Sequence, residues 1–135
     1  MTALQDDADV WPTRHLVETV DVDPVTLYRF WPGDGRGSRR WWTREERCVV
    51  ALAGALIGHR FELGQGGSEF RRWVLGELAP IVAHQWMLRR WRWLGFEFPS
   101  RERWFADTVD EAIAARRLPA TTLVHLPTVL GPVAP

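Results

Sequence analysis

Residues 11–30 read WPTRHLVETVDVDPVTLYRF, and their pattern sets the fold expected of the N-terminal half. Thr13 can cap a short helix in which Leu16 and Val17 face inward, and Asp21-Val22-Asp23 breaks it. Asp23-Pro24 restarts the chain, with a side-chain acceptor at the N-cap and a proline at the first helical position, where no backbone donor is needed. A second helix then runs to about Phe30. Two short helices joined by a break with a buried valine at its centre have helix-turn-helix geometry. At 100° per residue Leu27 and Phe30 share the inward side of the second helix, which leaves Val25, Tyr28 and Arg29 on the outer side. A helix braced in this way can enter a DNA major groove. There an arginine pairs with guanine, and a valine methyl meets the methyl of thymine.

Outward from this stretch, Trp31–Ser38 (WPGDGRGS) carries three glycines and a proline in eight residues and reads as a loop or small wing. Arg36, Arg39 and Arg40 would lie on phosphates there, with Trp41 and Trp42 anchoring the loop. Arg39–Trp42 has the character of a short strand. Thr43-Arg44-Glu45-Glu46 is a capping box opening a helix to about Ile57, whose CVVALAGALI core is apolar on nearly every side and belongs at the centre of the fold. A second glycine cluster, Gly64–Gly67, precedes a Trp-rich stretch in which Pro80 should produce either a kink or two helices, about 69–79 and 81–94. A last helix is expected from Ser100 to about Arg117. An extended tail follows from Pro119, with strand character only over Thr122–Leu126.

Charge is balanced, 17 basic residues against 17 acidic, so no net field draws the chain toward nucleic acid. Its distribution is uneven: residues 1–23 hold six acids and one arginine, whereas residues 24–104 hold fourteen arginines and eight acids. Every basic residue is arginine. That permits selection for bidentate phosphate and guanine donors, but a GC-rich coding bias that also favours Ala, Gly, Pro and Val explains it more simply. A lone cysteine, Cys48, excludes an internal disulfide and suggests a reducing, cytoplasmic setting. The longest apolar stretch, Cys48–Gly58, is too short to span a bilayer. The acidic first ten residues do not resemble a signal peptide.

The N-terminal half resembles the MerR-like winged helix-turn-helix family and its small excisionase-type relatives. Leu16, Val22, Asp23, Thr26-Leu27, Arg29-Phe30 and the run Arg40-Trp41-Trp42-Thr43-Arg44-Glu45-Glu46 carry the likeness, and Gly58–Leu63 looks like the turn into the family's fourth helix. It covers about residues 11–65. Asp21 stands where that family usually has glycine, and the span from Phe30 to Trp42 is short for a two-stranded wing. The resemblance implies a second helix that reads the major groove through Val25, Tyr28 and Arg29, and a wing that touches the backbone through Arg36, Arg39 and Arg40.

A rival reading is a helical interaction or assembly protein that presents a Trp-rich surface. Nine tryptophans is many for 135 residues, and Arg89, Trp91 and Arg92 are its candidate partner contacts. Catalysis has little support. His15, His59, His84 and His125 lack metal-site spacing, Cys48 lies in an apolar helix, and the loop GQGGS at 64–68 lacks the lysine of a phosphate-binding loop. The sequence thus predicts a single all-α domain with at most a small β wing: a helix-turn-helix part, a Trp-rich helical part over 68–118, and the tail. It predicts a DNA-binding regulator, homodimeric and not an enzyme, with no cofactor, metal or membrane association.

Overall fold

The computed structural model describes residues 9–31, 40–58, 67–115 and 121–135. The expected elements of the N-terminal half are present. Helix α1, Thr13–Val20, ends at Asp21, and α2, Pro24–Phe30, begins where the Asp23 carboxylate accepts the Val25 N–H at 2.8 Å. The capping box opens α3, Arg44–Ile57: the Thr43 hydroxyl accepts from Glu46 N at 3.2 Å, and the Glu46 carboxylate accepts from Thr43 N at 2.9 Å. As expected of its apolar run, α3 lies centrally. It buries Cys48, Val50, Leu52 and Ala53 against α1 and against the later helices.

The C-terminal half departs from expectation, and the all-α reading is overturned. Of the described residues 58% are helical and 17% lie in strands, arranged as two antiparallel sheets. A two-stranded sheet pairs β1, Trp11–Pro12, with β2, Trp41–Trp42. The partner of the expected short strand therefore comes from the N-terminal side of α1. Helix α4, Gly67–Trp73, passes through a π-helical segment, Val74–Leu78, into α5, Ala79–Leu88. The helix crosses Pro80 without a break, because the wider π turn just before it relieves the clash of the proline ring with the carbonyl four residues back.

Residues 89–106, expected to fall largely within two helices, instead leave the helix and form a hairpin. Strand β3, Trp93–Glu97, pairs with β4, Glu102–Ala106, and on its other side with β5, Thr122–His125, giving the order β4-β3-β5. The reason is a period of two. Leu94 and Phe96 point to the core, where Phe96 lies 5.5 Å from Trp73 and 6.2 Å from Phe70, while Gly95 and Trp104 occupy the opposite face. Aromatic side chains fit such a half-buried pleated surface well. Helix α6, Val109–Ala114, is capped by Thr108 and packs on that opposite face, with the Trp104 indole N–H donating to Ala112 O at 3.0 Å.

The tail expected to be extended is part of the core. After β5 a short helix α7, Leu126–Leu130, packs on α3, and Leu126, Leu130, Val133 and Ala134 are all buried. One cluster of buried residues runs from Leu16 to Ala134. Each leucine completely buried in it contributes about 1.5–3 kcal/mol.

Two positions expose this packing to measurement. Gly95 faces its cross-strand partner Trp104, and a Cβ there would stand 2.3 Å from the indole. Gly95→Ala is therefore expected to cost about 1–3 kcal/mol in chemical denaturation, and much less when Trp104→Ala removes the obstacle. Arg47 is 1% exposed and donates to the carbonyls of Asp9, Trp42 and Val133 at 2.7, 3.0 and 2.9 Å. Arg47→Met should cost about 3–5 kcal/mol. Arg47→Lys should recover only part of it, because one ammonium cannot span those acceptors.

Candidate nucleic-acid interface

The two N-terminal helices meet at a turn built from Asp21 and Val22. Asp21 takes φ 51 and ψ 47, the left-handed conformation that usually falls to glycine, and its N–H bonds to Val17 O at 3.2 Å. Val22 is buried, and its Cγ2 fills the space beside Gly54 on α3, where an added Cβ would come within 2.8 Å. A close approach of turn to central helix thus fixes where α2 begins.

Helix α2 buries Thr26 and Leu27 and directs Val25, Tyr28 and Arg29 outward, as the 100° step predicts. Val25 is 74% exposed and Tyr28 42%. The guanidinium of Arg29 lies 5.6 Å from the centroid of the Phe30 ring, and that of Arg71, from α4, lies 5.7 Å from the same ring. Among the described residues neither arginine forms an ion pair. Arg71 was not singled out in the sequence. It is forty-odd positions from Arg29, and only the packing of α4 brings it to Phe30.

Arg40 has a different task from the one expected. Its guanidinium donates to Trp31 O, pairs with Glu46 at 2.8 Å, and sits 4.1 Å from the Trp42 ring centroid. These contacts lock β2 to the start of α3 and leave Arg40 half-buried along the groove beside Trp41. Burial opposes ionisation of Glu46, yet the Thr43 N–H and the Arg40 guanidinium outweigh it and hold the carboxyl below its ordinary range. Arg36 and Arg39 lie outside the described residues. Trp42 is an anchor, buried and donating to Thr13 Oγ1 at 2.9 Å, whereas Trp41 is 56% exposed. Trp41 and Tyr28 line an open groove of about 650 Å³ together with Val17 and Pro24.

The second candidate cluster loses its helical premise, since α5 ends at Leu88. Arg89 stacks 3.7 Å from the Trp91 centroid and bonds Asp107 in an exposed ion pair, and half-buried Trp91 stacks on Phe105 at 5.8 Å. Arg92 is exposed.

Among the described residues no group of three His, Cys, Asp or Glu could hold a metal ion. His15 stacks on Trp11 at 3.9 Å, His84 contacts Glu45 at 3.1 Å, and His125 contacts Thr128 at 2.6 Å, while His59 lies outside the described residues. Burial pushes the Cys48 thiol up to about 11, against neighbouring arginines that favour the thiolate. No helix among the described residues is long and apolar enough to cross a membrane. No family model matches the chain, and no curated protein or solved structure is significantly similar to it.

The left-handed turn makes its own prediction. Asp21→Val should lower stability by about 1–2 kcal/mol, because a β-branched side chain clashes in that conformation. Asp21→Gly should be tolerated within a few tenths of that scale. Denaturant midpoints of the two variants check the difference.

Proposed function

We propose that the protein binds double-stranded DNA in a sequence-dependent way through α2, as a small cytoplasmic transcriptional regulator or excisionase-like factor. The observation that carries this reading is the division of α2. Thr26 and Leu27 brace the helix from behind, while Val25 and Arg29 are exposed and Tyr28, partly covered, opens onto the groove beside Trp41. Arg29 would read a base edge. Arg71 beside it would take a phosphate, with Arg36 and Arg39 contributing from the segment after α2. Such positioning contacts set register but not sequence.

Charge argues for a modest interface. Residues 9–31 hold Asp9, Glu18, Asp21 and Asp23 against Arg14 and Arg29, so long-range attraction is weak and affinity must come from close contacts. A seven-residue recognition helix supplies few of these, which favours two copies on a palindromic site. The rival interaction-protein reading is favoured by one observation, the apolar groove lined by Tyr28 and the exposed Trp41.

Titration against random-sequence duplexes at two salt concentrations separates the readings. DNA binding predicts affinity that falls with salt, by an amount set by the number of phosphates neutralised. Absence of binding at low salt overturns it. Arg29→Ala should cost about 1–3 kcal/mol on a selected site and relax preference at one base pair. Arg71→Ala should weaken all duplexes alike and flatten the salt dependence.

A further inference from the structure

Exposed Trp41 has no part in DNA binding through α2, yet it shares an open groove with Tyr28. The groove runs between β1, α1, α2 and β2, and Pro12, Val17 and Pro24 supply the rest of its apolar lining. We infer that this groove docks an uncharged, proline-rich segment of a partner protein, held in the polyproline II conformation. Docking there is independent of DNA binding, which turns on Arg29.

Hydrogen-bonding capacity selects that occupant. Among the described residues, neither the Trp41 indole N–H nor the Tyr28 hydroxyl has a partner. The acceptors around them are already engaged. Glu18 accepts from Arg14 at 3.3 Å, Glu46 accepts from Arg40 at 2.8 Å, and Thr13 Oγ1 accepts from the Trp42 indole at 2.9 Å. The groove therefore offers donors to an occupant rich in acceptors. A polyproline II segment has that complement, because its backbone makes no internal hydrogen bonds and its prolines carry a carbonyl but no N–H. A docked helix has few carbonyls to offer, since its own N–H groups take them. A β-strand would bring N–H groups that need acceptors of their own.

Charge selects against a polyanion. Two guanidiniums, Arg14 and Arg40, line the groove, and each is paired with a carboxylate, Glu18 and Glu46. Arg40 is further committed to the Trp31 carbonyl and lies on the Trp42 ring. A phosphate would have to break one of these pairs, whereas an uncharged apolar segment leaves both in place. Proline-rich segments suit aromatic-lined grooves for a further reason: the conformation is preformed, so little chain entropy is lost on docking.

The probe is a blocked oligoproline peptide titrated into the full chain by calorimetry, with a Gly-Ser peptide of equal length as the flexible control. Wild-type protein should bind oligoproline saturably, equally well at low and high salt, and should not bind the control. Trp41→Ala should weaken binding about tenfold or more. Trp41→Phe and Tyr28→Phe keep the rings but each remove one donor, and each should lose about fivefold. Val25→Ala, outside the groove lining, should bind as wild type does. Thermal unfolding of each variant checks that the fold persists. No saturable binding by wild-type protein overturns the inference, as does undiminished binding by Trp41→Ala or by both phenylalanine variants. Self-association that Trp41→Ala abolishes, in place of peptide binding, overturns it in favour of a second copy of the chain. A steep loss of peptide affinity with salt overturns the uncharged occupant. None of these results bears on the duplex titration, so DNA binding stands or falls separately.

Discussion

The buried guanidinium of Arg47 ties together three parts of the chain that are distant in sequence. From the first turns of α3 it donates to carbonyls of Asp9, Trp42 and Val133, reaches the Asp9 carboxylate at 3.2 Å, and lies 4.4 Å from the Trp11 ring centroid. A charge is expensive to bury, and only a full set of acceptors makes the burial tolerable. Those acceptors must therefore stay where they are. The β1–β2 sheet, the entry to α1 and the end of the chain are thereby held on one helix. A planar group with five donors in a fixed fork can satisfy acceptors on three sides, which a lysine ammonium cannot do in the same space.

The same chemistry recurs elsewhere at smaller scale. Arg40 lies on Trp42 and Arg89 on Trp91, while Arg90 lies 4.7 Å from the Trp86 centroid and donates to Pro135 O. The Trp86 indole N–H in turn donates to Ala134 O at 3.0 Å. Much of the arginine and tryptophan content is thus structural mortar between helices, strands and the final segment. This weakens any argument from arginine number to nucleic acid. What matters for an interface is which arginines are not engaged by acceptors: Arg29 is exposed, and among the described residues half-buried Arg71 forms no ion pair, whereas Arg40 is held by Glu46.

The candidate interface draws its rigidity from the same frame. Arg40 and Glu46 fasten β2 to α3, Trp42 fastens β2 to Thr13, and Val22 seats the turn against Gly54. Helix α2 is short, and its direction is set by these supports more than by its own hydrogen bonds. A short helix braced on one side through Thr26 and Leu27 suits close contact with a shaped surface rather than long-range capture. With acidic and basic residues equal in number, local geometry has to supply the selectivity.

Local signals were legible because their partners lie within a few residues. Asp23-Pro24, the Thr43–Glu46 capping box and the outward set Val25, Tyr28 and Arg29 each follow from contacts inside one or two helical turns. The hairpin was not. Arginine and tryptophan alternating over 89–93 fit a helix and a strand equally well, and the choice fell to β5, which reaches β3 from some thirty residues further along. Nor could the roles of Arg40, Arg47 and Arg71 be read, since the groups that hold Arg47 come from 38 and 86 positions away. By itself the sequence determined where helices start and stop in the N-terminal half and which side of α2 is polar-facing, because capping and periodicity are short-range. Tertiary structure alone decided that a three-stranded sheet stands among the C-terminal helices, that the tail is core, and which arginines are bound within the fold, because each is settled by desolvation among residues far apart in the chain.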